Sequence, residues 1–96
     1  MHELIISPEA DRDVDAQADY YRDRGTPDTA DRWYLKTRET FEFLAAHPGI
    51  GEEIRQGLRA WRVERFKQHV VLDCASAHRV EIVRVLHGAA DLARLI

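Results

Sequence analysis

A chain of 96 residues, 45% hydrophobic and 32% charged, has room for one small domain around one core (residues 1–96) and is not disordered in composition. The longest aliphatic runs, Leu4-Ile5-Ile6 and Val70-Val71-Leu72, are three residues long, which excludes a membrane-spanning helix. A net charge of −3 excludes a broadly basic nucleic-acid binder, so no sequence-specific nucleic-acid contact is expected.

The opening carries Glu3 and no basic-then-apolar pattern, so no secretory signal is expected. A single cysteine, Cys74, fits a reducing cytoplasm and reads as a small core residue. His2 to Ile6 predicts a strand that ends at Ser7-Pro8, where serine can accept an orphan N–H and proline fits the first helical turn. Ala10, Val14, Ala18 and Tyr21 then recur at helical spacing until Gly25, with Asp11, Asp15 and Asp19 on other faces. Thr26-Pro27 repeats the start signal. Ala30, Trp33 with Tyr34, Thr37, Phe41 and Leu44 follow, and His47-Pro48-Gly49 ends the segment. Two helices joined this closely form an antiparallel hairpin.

From Leu58 the period becomes two, with Trp61 and Val63 on one side and Ala60, Arg62 and Glu64 on the other. Residues 69–75 and 79–86 predict two more strands joined through Ser76-Ala77, an antiparallel meander. Leu92, Leu95 and Ile96 suit about two helical turns after Gly88. The prediction is an α+β domain, β-α-α-β-β-β with a short C-terminal helix, its helical hairpin packed on an antiparallel sheet.

The last two strands do not alternate. Val80, Ile82 and Leu86 share one parity, Val83 and Val85 the other, and Val71 opposes Val70, Leu72 and Cys74. One hairpin covers one face, so the second apolar face needs the C-terminal tail, a dimer mate or another chain over it.

Charge is uneven along the chain. Residues 1–48 hold six basic and eleven acidic residues; residues 49–96 hold eight and six. Arg55, Arg59, Arg62, Arg65 and Lys67 form a strip that suits an acidic partner, and equally a solvated strand edge. The five histidines show no metal-ligand spacing, and phosphate loops and nucleophile elbows are absent, so no metal or cofactor is expected. A metal-free nuclease could draw on His69, His87, Lys67, Arg62 and Arg84, with His87 alongside Lys67 and Arg62 or Arg84 as the sharper set. With a two-residue turn at Ser76-Ala77, Arg84 would face His69 and His87 would face Phe66. His87 and Arg84 start on opposite faces, which favours a corner that positions the tail over a catalytic pair.

The segments "LIISPEADRDVDAQADYYRDRG", "FEFLAAHPGIGEEI", "GLRAWRVERFKQHVVL" and "VEIVRVLHGAADL" together resemble the RelE/ParE family of toxins from type II toxin–antitoxin modules, in its ParE branch. The resemblance implies a helical hairpin on a twisted antiparallel sheet and a cognate antitoxin, encoded nearby, that wraps the protein as a hetero-oligomer. It also implies action by protein contact, on DNA gyrase. The alternative it leaves is ribosome-dependent mRNA cleavage in the manner of RelE. Val70 and Ala90 stand where arginines are usual, the former in nuclease members, and the tail has no tyrosine; these departures disfavour cleavage and make full toxicity doubtful. The residues expected to bind antitoxin or target are Arg59, Arg62, Arg65, Val83, Arg84, Val85, His87, Leu92 and Leu95.

Overall fold

In a computed structural model, which describes residues 2–95 apart from the side chains of Ala89 and Ala90, both expected helix starts form. The Ser7 hydroxyl accepts the Ala10 N–H at 3.0 Å to open α1 (Pro8–Arg24), and Thr26 accepts the Thr29 N–H at 3.2 Å to open α2 (Pro27–Ala46). Before them lies β1 (Glu3–Ile6); after them come β2 (Glu52–Arg55), β3 (Leu58–Val63), β4 (Phe66–Ala75), β5 (Arg79–His87) and α3 (Gly88–Leu95). Ile96, expected on the apolar side of the tail, lies outside the described residues. No helix among the described residues is long and apolar enough to cross a membrane.

The strands form one five-stranded sheet in the order β1-β5-β4-β3-β2. β3, β4 and β5 make the expected antiparallel meander, but β1 joins the edge parallel to β5, from Glu3 opposite Arg79 to Ile6 opposite Ile82, so the sheet is mixed. β2 is an addition to the expected order. Its sequence, EEIR, offers one apolar residue, Ile54, and no alternation to read. It pairs closely with β3 because Gly51 has no Cβ; one there would sit 2.9 Å from the Ala60 carbonyl oxygen.

Two details of the β4–β5 hairpin correct the expected register. The two-residue turn is Ala77-His78 rather than Ser76-Ala77, closed by the Ser76 N–H on the Arg79 carbonyl at 2.9 Å. A bulge then follows: Asp73 pairs with Ile82 but Leu72 pairs with Arg84, so Val83 is the extra residue. Together these bring His87 opposite His69, where Arg84 was expected. The bulge also exchanges the faces of the residues beyond it. Val80, Ile82 and Val85 belong to the main core, while Val83 and Leu86 belong to the other face.

The main core lies between hairpin and sheet, with Ala10, Val14, Trp33, Phe41 and Leu44 from the helices packed on Val63, Val71, Val80 and Ile82. Trp33 is fully buried and donates its indole N–H to the Val14 carbonyl at 2.9 Å, which ties the two helices together. Tyr34 faces solvent and bonds Asp15 at 2.8 Å. The second face carries its own cluster: Val70, Leu72 and Leu86, with Ile54, Leu58, Ala60, Val83 and Leu92 around them. Of the covers foreseen for this face, the chain's own tail supplies one, through Leu92 of α3.

Candidate functional site

β5 outruns β1, and beyond Ile82 its outer edge has no strand partner among the described residues. Side chains of the first helix take over that edge. Ser7 donates its hydroxyl to the Val83 carbonyl at 2.8 Å, and Asp13 accepts the Val85 N–H at 2.9 Å. Asp13 also accepts both prongs of Arg84, at 2.7 Å from Nε and 3.0 Å from Nη2. The carboxylate beside it raises the guanidinium's already high pKa further. Arg84 therefore sits inside an apolar strand to seal its edge, and its fork geometry is used up there. Val85, expected as a binding residue, is 6% exposed within the main core, because the bulge turns it toward the helices.

At the far end of β5 the exposed His87 ring faces His69 of β4 at 4.8 Å, and His69 is buried against Trp33, with ring centroids 4.4 Å apart. The Gln68 amide donates to the Tyr21 oxygen at 3.1 Å, so the Tyr21 proton is free for His69 Nε2, 2.7 Å away. His69 Nε2 is then an acceptor on a neutral ring. Burial first and the neighbouring His87 second lower the His69 pKa to about 4, against partial opposition from the Leu86 backbone. His87 N–H is held by Asp91, and Gly88, at φ +80°, turns the chain into α3. This end of the sheet thus brings together His69 and His87, which the sequence reading named separately and placed opposite Arg84 and Phe66.

The basic strip is dispersed. Arg59 donates to the Gly51 carbonyl at 2.8 Å, Arg62 donates to the Lys67 carbonyl at 2.6 Å, and Arg65 occupies the β3–β4 turn at φ +71° with its side chain in solvent. Arg62 and Lys67 border a groove of about 880 Å³ that runs over the β2–β3 side of the sheet. Its apolar lining includes Phe43, Ile50, Ile54 and Trp61. Phe43 stacks between His47, at 4.3 Å, and Trp61, at 5.6 Å, so three rings line up along α2 and β3. Phe43 and Ile50 are 36% and 40% exposed, a cost the free chain bears in water. Phe43 lies off the helical stripe of Trp33, Phe41 and Leu44, on the groove side of α2.

Across β4 from Arg59, Asp73 is 2% exposed, and its Oδ2 has no hydrogen-bond partner among the described residues. Burial raises its pKa, and Arg59 offsets this only in part. A carboxyl whose pKa is higher folded than unfolded stabilises the fold below its ordinary range and loses that contribution as pH rises through the folded value. At neutral pH it is a burden. Asp73→Asn is expected to stabilise the protein at pH 7 by on the order of 1 kcal/mol, measured by urea unfolding. A loss of stability instead would mean that the carboxylate has a partner that matters.

No group of three or more histidine, cysteine, aspartate or glutamate side chains among the described residues is placed to hold a metal ion. What the arrangement offers is surface: a groove with an aromatic wall, an exposed histidine at the end of the sheet, and a short helix over a second apolar face.

Residues 4–92 match the family model described as the ParE toxin of the type II toxin–antitoxin system parDE. Among solved structures, the chain is similar to one titled "Chromosomal ParDE TA system from P. aeruginosa", with a TM-score of 0.80 and 23% identity over 92% of this chain and 97% of that one. No curated protein matches the sequence.

Proposed function

This chain belongs to the ParE toxin family of type II toxin–antitoxin systems, and from that premise we propose that it acts by protein contact, with DNA gyrase as target, and is silenced by a cognate antitoxin encoded nearby. The observation that carries this reading is the groove beside Phe43, Ile50 and Trp61. Its size and aromatic wall suit the apolar side of an amphipathic helix, and the mixed charges at its border, Arg62 and Lys67 with Glu52 and Glu64, suit flanking residues of both signs. The disposition of the cations supports contact over catalysis. A nuclease needs free cations to hold the developing phosphate charge, and Arg84 is committed to Asp13.

Induced expression tests the target. The expected result is growth arrest with a DNA-damage response, intact ribosome-bound mRNA, and relief when the adjoining antitoxin gene is co-expressed. Cleaved mRNA, with cleavage lost in His87→Ala, would replace this reading with the nuclease one.

The groove has its own prediction. Phe43→Ala should weaken antitoxin binding by tenfold or more, because an aromatic wall residue at the centre of an interface acts as an anchor. Reversing Arg62 and Arg65 to glutamate should mainly slow association and flatten its salt dependence. Titration and stopped-flow binding separate the two effects. An unchanged affinity for Phe43→Ala would place the antitoxin elsewhere.

A further inference from the structure

The segment His47-Pro48-Gly49-Ile50-Gly51 leads from the end of α2 to β2, and its one large apolar side chain, Ile50, stands in the groove wall. Inside the loop the Ile50 N–H reaches the His47 carbonyl at 3.1 Å. Its hold on the sheet comes from β3, where Arg59 donates Nη1 to the Gly51 carbonyl at 2.8 Å. Both glycines serve this contact. Gly49, at φ +81°, turns the chain past the guanidinium, and a Cβ on Gly51 would come within 3.2 Å of Arg59 Cβ. Among the described residues Arg59 is not part of the groove lining, although Ala60 and Trp61, the next two residues of β3, are. Nor is its fork turned to Asp73, its partner on β4, whose Oδ2 stays unpartnered. Glu53 lies 3.9 Å from Nη2, a loose pair between partly exposed side chains.

We propose that Arg59 is a positioning residue for the groove: it clamps the loop 47–51 to β3 and so holds Ile50 in the wall that a bound helix meets. The inference rests on the reading that this groove receives the antitoxin, and it moves Arg59 from touching the partner to supporting the surface that does. The physical argument is pre-organisation. A five-residue loop with two glycines has many conformations within reach, and a side chain carried on it must be fixed before it can serve as a contact. A guanidinium anchored in a paired strand fixes the loop as the chain folds, so less order remains to be imposed on binding. A clamp of this kind works by a short hydrogen bond inside the protein, which salt screens little, whereas a direct charge contact at an interface rim weakens as salt rises.

Arg59→Met tests this in the full-length chain, since it keeps the stem over Gly51 and removes the donor and the charge. Titration with the purified antitoxin from the adjoining gene should show about fivefold weaker binding, by the same factor at about 0.05 M and about 0.5 M salt. In the free variant the Ile50 amide should exchange hydrogen about fivefold faster or more. In an Ile50→Ala background the same change should weaken binding by less than about twofold, because the side chain that the clamp positions is gone. Gly51→Ala pushes the loop off β3 and leaves the Arg59 charge in place; it should weaken binding similarly, and it serves if Arg59→Met does not fold. A loss that disappears at high salt, or that keeps its full size in the Ile50→Ala background, would show that Arg59 touches the antitoxin directly and would overturn the inference. Unchanged binding by Arg59→Met while Phe43→Ala still weakens it would overturn the inference alone. If Phe43→Ala has no effect either, the groove reading beneath it falls as well.

Discussion

Asp13→Ala is expected to destabilise the protein by about 2–3 kcal/mol, the loss of a charged acceptor that serves three donors at once. Two of those donors are the prongs of Arg84 and the third is the Val85 N–H, which has no neighbouring strand to turn to. The side chain of Arg84 is about one-third exposed (34%), so its share is screened and part of it can be recovered from water. The backbone N–H of a 6%-exposed residue recovers less. Arg84→Ala should therefore cost less, about 1–2 kcal/mol, because Asp13 keeps its bond to Val85. Urea unfolding of the two single variants and the double variant gives the coupling directly. Equal and small effects, below about 0.5 kcal/mol, would mean that the pair is a surface ion pair of little consequence. The same series bears on function. If Arg84 seals the edge of β5, Arg84→Ala should reduce toxicity only as far as it reduces the folded fraction.

One histidine, His69, should by itself remove about 3 kcal/mol of stability between pH 6.5 and pH 4. The His69 pKa is about 4 in the folded protein against an ordinary 6.5. Between those values the unfolded chain takes up a proton that the folded chain refuses, so stability drops as pH falls through this window and is constant, for this group, above it. The refusal has a structural cause. His69 is 1% exposed, Trp33 and Tyr21 crowd it, and its Nε2 already accepts from Tyr21. Charging the ring would break that bond and set the ring beside His87. Asp73 works in the opposite sense and Asp91 in the same sense, so the total pH profile mixes three groups. The difference between the native chain and His69→Phe isolates one of them. That difference should shrink by about 3 kcal/mol from pH 7.5 to pH 4, as measured by urea unfolding at each pH. Parallel profiles would show that His69 is charged in the folded protein and that its bond with Tyr21 runs the other way.

Much of the fold was legible because its signals are local. Ser7-Pro8 and Thr26-Pro27 announce helix starts whatever follows them, and the spacing of Ala10, Val14 and Ala18 fixes which side of α1 is buried. The double-sided apolar character of β4 and β5 was equally plain, and it pointed to a second apolar face, over which the tail, one of three covers foreseen, sets Leu92. β2 was not legible, because a four-residue edge strand with one apolar side chain leaves no periodic trace. Nor was the parallel pairing of β1, since strand order depends on how the hairpin crosses the sheet and not on the strand's own residues.

The candidate site divides in the same way. Composition and order were enough for a helical hairpin on a sheet, a surplus of apolar surface, the corner at His87-Gly88 and the family likeness that the match over residues 4–92 bears out. The tertiary structure alone decided which residues meet. One extra residue at Val83 and a turn one position later brought His87 over His69, sent Val85 into the core, and left Arg84 to reach Asp13, 71 residues away along the chain. A bulge has no sequence signature of its own here, yet it changes the face of every side chain beyond it, because the strand period is two. Pairings between distant residues follow from packing a whole chain at once, and so the roles of Arg84, His69 and Leu92 belong to the fold and not to any stretch of sequence.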